Sequence, residues 1–333
     1  MVFKRLLGSM GVGGPAVDTV LDPVSPVPGG SLSGEVRLTG GRADYDVEHI
    51  TLELVARVEA ETEHGEHDGV AVFERFTVGG GFRLHEGEQR NIPFTVALPW
   101  ETPVTELHGQ ALGIVLGVRT ELGVSGARDK GDLDAFTVRP LPVQEAVLEA
   151  LGQLGFGFKS ADLEYGHIGG TGQQLPFYQE IELSPAPSYA HRVNEIEVTF
   201  LASAAGMDVV LEADKRGGFS GSHDALARHT VRHDQVAQTD WNAEVDGWIR
   251  ALIEAHGAHA PHASYGHDPY GHAGHKDDHG HGGHRSGPGM GTVVAAGAAG
   301  LAVGVVGGMV AAEVIDEVGD FFEDDEDEGD DEA

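Results

Sequence analysis

The chain has 333 residues, which is enough for two domains with hydrophobic cores, because a domain typically has ~100 to 200 residues. It carries 21 basic and 54 acidic side chains, so its net charge of −33 repels phosphate backbones and disfavours nucleic-acid binding. Cysteine is absent, which excludes disulfides, thiolate nucleophiles and cysteine-ligated zinc. The N-terminal segment has no apolar run long enough for a secretory signal peptide, and we therefore expect a cytoplasmic protein.

Short runs of alternating apolar residues, separated by Gly, Pro and Asp, fill the chain from residue 16 to residue 138. Every second residue from Ile50 to Val58 is apolar, which is typical of a strand with one packed and one solvated face. The predicted strands are 16–21, 32–39, 49–59, 70–78, 88–98, 111–122 and 133–138. Their spacing of roughly 8 to 12 residues predicts a β-sandwich.

The spacing becomes helical between Pro140 and Gly155, where Val143, Val147 and Leu151 recur every fourth residue. Alternation then resumes in a second set of predicted strands, namely 159–165, 177–183, 194–201, 208–213 and 227–233. A second helix is predicted for residues 240–255, with Thr239 or Asp240 as its N-cap. The sequence therefore predicts an all-β fold of two β-sandwich lobes in tandem, with a helix at the lobe junction and a C-terminal helix.

The predicted organisation has five parts. The N-terminal lobe covers residues 1–139, and residues 140–255 contain the junction helix, the second lobe and the closing helix. A flexible linker rich in His and Gly follows at 256–290, an apolar segment of Gly, Ala and Val at 291–315, and an acidic tail at 316–333. Twelve acids of this tail lie between Asp316 and Glu332, so the rest of the chain keeps a charge of −33 + 12 = −21.

The linker contains nine of the 19 histidines of the chain. Imidazole is a good ligand for Zn, Ni and Cu, so a flexible tract can wrap several of its histidines around one ion. The candidate ligands are His256, His259, His262, His267, His272, His275, His279, His281 and His284. Nothing preorganises them, so the sequence indicates no required cofactor and only adventitious metal. A spacer, or a segment that gains charge as the pH falls, is equally compatible with this composition.

The apolar run at 292–312 contains no charged residue and allows three interpretations. Its length suffices to span or insert into a bilayer, and Gly300, Gly304 and Gly308 form consecutive G-x-x-x-G steps that suit self-association. The third interpretation is a disordered Gly/Ala linker, because each glycine disfavours a helix by ~1 kcal/mol. Membrane contact through 292–312 is therefore one expectation for this segment, and a peripheral membrane location follows from it.

No motif in the chain predicts catalysis. The sequence lacks HExxH, G-x-S-x-G and a Walker A loop, and its glycine clusters lack the context of a dinucleotide site. The carboxylates of Asp129, Asp132 and Asp134 lack the EF-hand pattern and are interpreted as a solvated turn. His229 and His233 are interpreted as surface residues of one strand, about 13 Å apart and too distant to share an ion.

Several stretches in this order resemble the bacterial sporulation-control protein family, whose members are similar to eukaryotic arrestins. The similarity covers residues 1–255 and includes GVGGPAVDTVL, PGGSLSGEVRLTGG, IPFTVALPWETPVT, FTVRPLPVQEAVLEALGQLGFGFKSADLEYG, LPFYQEIELSP and NEIEVTFLASAAGMDVVLEADKRGG. The resemblance implies two arrestin-like lobes and a cytoplasmic regulator of sporulation or development that acts through contacts with other proteins. It assigns no site residues.

Two functional hypotheses follow. The first is a non-catalytic regulatory or scaffold protein whose lobes bind protein partners. The alternative is a membrane-associated envelope-stress or morphology protein that its C-terminal apolar segment anchors.

Overall fold

The computed structural model describes residues 13–62, 65–125, 130–215, 225–258 and 303–304, and most of these residues lie in strands. The strands before the first helix are β1 (Ala16–Leu21), β2 (Ser31–Thr39), β3 (Tyr45–Thr62), β4 (Gly65–Gly79), β5 (Phe82–Leu84), β6 (Gln89–Ala97), β7 (Glu106–Leu107), β8 (Gln110–Ala111), β9 (Leu116–Val124) and β10 (Lys130–Ala135). The later elements are α1 (Pro142–Gln153), β11 (Gly157–Tyr165), β12 (His167–Ile168), β13 (Phe177–Ser184), β14 (Val193–Ala202), β15 (Met207–Lys215), β16 (Ala225–Val231), a 3-10 helix (His233–Gln238), α2 (Trp241–Ala258) and β17 (Val303–Gly304).

One long sheet runs through the described residues in the order β10-β9-β3-β11-β13-β14-β15-β16, and β4 and β5 also pair with β3. A separate three-stranded sheet has the order β1-β2-β6. Neighbouring strands are antiparallel except for β3 and β11, which run parallel where Glu59 lies opposite Glu164. This parallel pair joins the first half of the long sheet to the second half.

The first hydrophobic core includes the inward faces of β2, β3 and β9. Their alternating apolar residues are almost fully buried, with Leu38, Ile50 and Leu122 each at most 1% exposed. One acid lies within this region: the Glu53 side chain is 3% exposed and accepts hydrogen bonds from Arg75 Nε at 2.7 Å and from Arg119 Nε at 2.6 Å. Burial alone would raise the pKa of Glu53, but the two guanidiniums outweigh it and hold the pKa below its usual range.

The second hydrophobic core lies between one face of the β13–β16 sheet and the two helices. The predicted period of four is confirmed in α1, where Val143, Val147 and Leu151 are all buried. Asp240 caps α2, because its side chain accepts a hydrogen bond from the Ala243 backbone N–H at 3.2 Å. Helices rather than a second sheet cover this face among the described residues, so the division into two tandem sandwiches stays a prediction.

Aromatic and polar contacts join the part of the chain before α1 to the part after it. Phe73 of β4 meets Phe177 of β13 edge to face, with ring centroids 5.6 Å apart. The Gln179 amide bonds both the N–H and the C=O of Val104, at 2.9 and 2.8 Å. Trp100 stacks on His233 with ring centroids 5.4 Å apart. Because both apolar and hydrogen-bonded contacts cross the junction, the cores form one continuous body.

Three sequence-based expectations differ from the structure. The predicted strand 111–122 is interrupted, because Gly113 has a φ of +87°, a left-handed conformation that suits glycine. The predicted strand 133–138 lies instead at 130–135, which places Asp132 and Asp134 on β10 rather than in a solvated turn.

The interpretation of the two histidines as surface residues of one strand is also wrong. His229 lies on β16 and stacks on Trp248 with centroids 4.5 Å apart, whereas His233 begins the 3-10 helix beyond the strand. The strand of the predicted run 227–233 ends at Val231, and Arg232 is the N-cap of the 3-10 helix that follows.

Candidate functional site

Three neighbouring strands each carry an acid, an apolar residue and a second acid. These triplets are residues 162–164 on β11, 180–182 on β13 and 195–197 on β14. Side chains two residues apart on a strand point to the same face, so the central apolar residue packs inward while both acids point outward. Leu163, Ile181 and Ile196 are accordingly at most 2% exposed.

The register of the sheet aligns these acids side by side. Asp162 lies opposite Glu180, and Glu182 lies opposite Glu197, which in turn lies opposite Glu212 of β15. We call the resulting surface the acidic face. It is defined by eight carboxylates that point away from the helices, namely Asp162, Glu164, Glu180, Glu182, Glu195, Glu197, Asp208 and Glu212.

A loop at 166–176, which connects β11 to β13 and which we call the flap, folds over one end of the acidic face. Ile168 of the flap packs against Tyr178, Leu201 and Val210, all buried on the outer side of the sheet. Arg228 of β16 donates a hydrogen bond to the Gly170 carbonyl oxygen at 2.7 Å and so fastens the tip of the flap. The flap therefore shields the adjacent carboxylates from solvent.

The base of the flap is fastened from the first core. The Glu101 carboxylate accepts hydrogen bonds from the backbone N–H groups of Gln174 and Leu175, at 2.7 and 2.8 Å. Inside the flap, the Gln173 amide donates to the carbonyl oxygens of Gly166 and Leu175 at 2.7 and 2.8 Å. These contacts hold the flap in one position relative to both halves of the long sheet.

The closest carboxylates of the acidic face are those of Asp162, Glu164 and Glu180, each of them half-buried. One oxygen from each can be chosen so that all three lie within 4.8 Å of one another. Burial, followed by repulsion from Glu197 and the nearby acids, raises the pKa of Glu180 to about 9. Glu180 therefore holds a proton at neutral pH.

The basic side chains of the acidic face lie at its margins. Lys159 forms ion pairs with Glu182, at 2.7 Å, and with Glu195, and these hydrogen bonds raise the pKa of Lys159. Bonding to Lys159 and Ser160 lowers the pKa of Glu182. Arg228 pairs with Asp208 at the opposite margin, so the charge at the centre of the face remains negative.

The sequence-predicted metal ligands lie elsewhere. His256 is in the last turn of α2, and the other eight histidines, from His259 to His284, lie outside the described residues. Of the three glycines predicted for self-association or membrane contact, Gly304 pairs with His167 in β12, whereas Gly300 and Gly308 lie outside the described residues. The structure therefore leaves both of these predictions untested.

No helix in the part of the chain that the structure describes is long and apolar enough to cross a membrane. Except for residues 303 and 304, the apolar run at 292–312 is outside that part.

Comparison with known proteins places this architecture in a family. The model of the SpoOM protein family matches residues 3–217, which is more than half of the chain. The chain belongs to the SpoOM protein family. The matched residues include every carboxylate of the acidic face, whereas α2, the histidine tract, the apolar run and the acidic tail lie beyond them.

A sequence comparison and a structural comparison support this membership. The sporulation-control protein spo0M of Bacillus subtilis (strain 168) is 36% identical over 216 residues, which are 64% of this chain and 81% of that protein. The crystal structure of Spo0M from Bacillus subtilis matches with a TM-score of 0.62 and 29% identity, covering 74% of this chain and all of that chain. The resemblance inferred from the sequence and the β-rich fold class are thereby confirmed.

Proposed function

We propose that the protein is a non-catalytic regulator of sporulation or development that acts through contacts with other proteins. We further propose that the acidic face is the surface on which a basic region of a partner docks. One observation supports docking on the acidic face: eight carboxylates lie on one face of four paired strands, in a region that the SpoOM family match covers. The name of the Bacillus subtilis relative supports the regulatory role.

The energetics of the acidic face favour a role in binding over a role in stability. Like charges directly opposite each other on neighbouring strands are destabilising, and the pair of Glu182 with Glu197 and the pair of Glu197 with Glu212 both have this arrangement. A partner that brings lysines or arginines would relieve this repulsion and would also be attracted at long range.

The junction between the two cores suits a scaffold. Because Phe73 packs on Phe177, and Gln179 bonds Val104, the acidic face has a fixed position relative to the first core. A partner that contacts both halves would therefore meet a preorganised surface, which lowers the entropic cost of binding.

The same surface supports contact rather than chemistry. The acidic face offers hydrogen-bond acceptors and negative charge, while Lys159 and Arg228 are both engaged in ion pairs. A catalytic site would need a nucleophile, an activating base and a group that orients the base, and the acidic face does not combine these roles.

Complementation in Bacillus subtilis tests the proposal. A strain that lacks its own Spo0M would express the full-length chain, and heat-resistant spores would be counted. The acidic-face variant carries the substitutions Glu182→Gln, Glu195→Gln and Glu197→Gln. The control variant removes three exposed acids outside the acidic face, by the substitutions Asp22→Asn, Glu74→Gln and Glu86→Gln.

We expect the full-length chain and the control variant to restore sporulation and the acidic-face variant to fail, with equal protein levels in all strains. Crosslinking in the same cells should capture a partner with the control variant and lose it with the acidic-face variant. Restoration by both variants alike would refute docking on the acidic face. Failure of the full-length chain to change sporulation at all would refute the regulatory role.

A chain truncated after Ala258 separates the two cores and α2 from the low-complexity tail. We expect this chain to restore sporulation as well as the full-length chain does, since the family match ends before α2. Loss of function on truncation would assign the activity to the histidine, glycine and acidic segments instead.

A further inference from the structure

An apolar patch lies on the outer side of the long sheet, on the face that also carries the carboxylates. We call it the socket and define it by Tyr178 of β13, Leu201 of β14 and Val210 of β15. These three residues are at most 7% exposed, although both helices pack on the opposite face. They pack with Ile168 of the flap, the only member of this buried cluster among the described residues that is outside the long sheet. The flap therefore covers the socket.

One side chain holds the flap closed from within. The Gln173 side chain accepts a hydrogen bond from the Ile168 backbone N–H at 2.9 Å. Its Nε2 also donates to the carbonyl oxygens of Gly166, Leu175 and Phe177. Four of the eleven flap residues are glycine, so the backbone has little preference of its own for this path. A loop that depends on one side chain should open at a lower free energy than the paired strands beside it.

Acidic side chains adjoin the socket on the sheet. Asp208 lies opposite Leu201, and Glu212 is two residues from Val210 on the same face. Glu197 of β14 in turn lies opposite Glu212. An apolar side chain of a partner in the socket would bring its neighbouring residues close to these carboxylates, which favours lysine or arginine at the neighbouring positions.

We infer that the flap is a displaceable cover and that the socket binds one apolar side chain of a basic partner segment. This inference rests on the proposed docking of a basic region on the acidic face, and it adds an apolar anchor and the cover that regulates access to it. A buried apolar anchor surrounded by polar contacts is a common arrangement at the centre of a protein interface.

The flap and the partner compete for the same apolar contacts, because Ile168 occupies the socket in the closed form. The apparent affinity for a partner is then reduced by the fraction of molecules in which the flap is open. A change that loosens the flap should therefore strengthen the binding of an apolar anchor and leave attraction by charge alone unchanged.

Thiol labelling tests whether the flap opens. The chain contains no cysteine, so an introduced cysteine is its single thiol. Val210→Cys places that thiol in the socket, where the native side chain is 3% exposed. Val209→Cys is the matched control, because Val209 is the preceding residue of β15, is 0% exposed and belongs to the second core on the opposite face. Global unfolding exposes both thiols, whereas flap opening exposes only the one at position 210.

Gln173→Ala loosens the flap, and Gln174→Ala is its matched control. The Gln174 side chain makes an exposed hydrogen bond to the Gly172 carbonyl oxygen, and the backbone bond of Gln174 to Glu101 survives the substitution. We expect the thiol of Val210→Cys to react at least about tenfold faster than that of Val209→Cys under native conditions. Gln173→Ala should accelerate only the Val210→Cys reaction, by about tenfold, since several hydrogen bonds are lost. Equal rates at both positions in every background would overturn the displaceable cover.

Two fluorescent peptides of equal charge test what the socket binds. One has lysines on both sides of a single leucine, and the other has serine in place of the leucine. Fluorescence anisotropy measures their affinity for the full-length protein, in which β12 of the flap can still pair with β17. We expect the leucine peptide to bind the Gln173→Ala chain at least about tenfold more tightly than the serine peptide, with a smaller ratio for wild type and for Gln174→Ala.

Protection of the thiol locates the bound leucine. In the chain with both Val210→Cys and Gln173→Ala, saturating leucine peptide should slow labelling at least about tenfold more than saturating serine peptide does. The acidic tail attracts both peptides alike, so the ratio between the peptides and the protection of the thiol report on the socket, whereas total affinity does not.

Equal affinities of the two peptides for Gln173→Ala, or equal protection of the thiol by both, would overturn the socket as a binding site for an apolar anchor. Such a result would leave docking by charge on the acidic face standing. That docking is tested separately, by spore counts with Glu182, Glu195 and Glu197 substituted, so failure of the inference and failure of the proposed function can be told apart.

Discussion

The substitution Phe177→Ala should destabilise the protein strongly and should affect both cores. Phe177 is 1% exposed and belongs to the first core, although β13 also forms part of the second core. Removing a buried phenylalanine typically costs ~3–5 kcal/mol. About 0.5–1.5 kcal/mol of that loss would come from the edge-to-face contact with Phe73.

Urea unfolding at pH 7, followed by circular dichroism and by tryptophan fluorescence, measures the loss. Phe158→Ala, on the neighbouring strand β11, is the matched control, because this ring is 51% exposed and its removal should change stability by about 0.5 kcal/mol or less. A double-mutant cycle with Phe73→Ala should give a coupling energy of ~0.5–1.5 kcal/mol.

Two results would refute the reasoning. A loss below about 1 kcal/mol for Phe177→Ala would show that the ring does not fill the junction between the cores. Two separate unfolding transitions in the wild-type chain, with only one of them shifted by the substitution, would show that the cores unfold independently and do not form one platform.

Three further outcomes are expected. Glu53→Gln should cost ~1–3 kcal/mol at pH 7, because it removes the buried carboxylate that accepts hydrogen bonds from two guanidiniums, which themselves still reach solvent. The folded pKa of Glu53 is lowered, so its carboxylate stabilises the fold above the unfolded pKa of ~4.3, and this stabilisation is lost as the pH falls through the folded pKa. A urea midpoint that does not change with pH would contradict this expectation. Glu180 has the opposite effect on stability, because its folded pKa is raised. Its stabilising contribution is complete below pH ~4.3 and falls as the pH rises toward about 9. In urea titrations at pH 5 and pH 9, Glu180→Gln should reduce the difference in stability between the two pH values by at least ~1 kcal/mol. Gly29→Ala should lower stability by ~1–3 kcal/mol and alter tryptophan fluorescence, because φ is +71° and a Cβ would lie 2.5 Å from the Trp100 ring; unchanged thermal unfolding would argue against that contact.

The secondary structure could be predicted well wherever the chain alternates or has helical spacing. The strand at 16–21 agrees with its predicted bounds, and both helices lie within two or three residues of theirs, because periodicity and caps are local signals. The interruption at Gly113 was not predicted, since the apolar run around it is continuous and the left-handed backbone is set by the surrounding packing.

The acidic face was missed although its sequence signal is present. The triplets Asp-Leu-Glu at 162–164 and Glu-Ile-Glu at 180–182 and 195–197 show that each strand carries acids on one face. The sequence cannot show that these strands are neighbours or that their register puts Asp162 opposite Glu180, because both depend on pairing between distant residues. The sequence-based metal prediction concerns the histidine tract instead, and all of that tract beyond residue 258 lies outside the described residues.

Strand β13 contributes both to the junction between the two cores and to the acidic face. On β13, Phe177 points into the first core and packs on Phe73, whereas the adjacent Tyr178 points to the opposite face and lies beside the carboxylate cluster. On β11, Glu164 of that cluster lies opposite Glu59 in the parallel pairing that joins the two halves of the long sheet. A charge change at the cluster therefore acts next to the contacts that set the position of one core relative to the other. Because a slip of one residue in β13 would exchange the buried ring and the outward acids, the packing that stabilises the junction also fixes the acidic face.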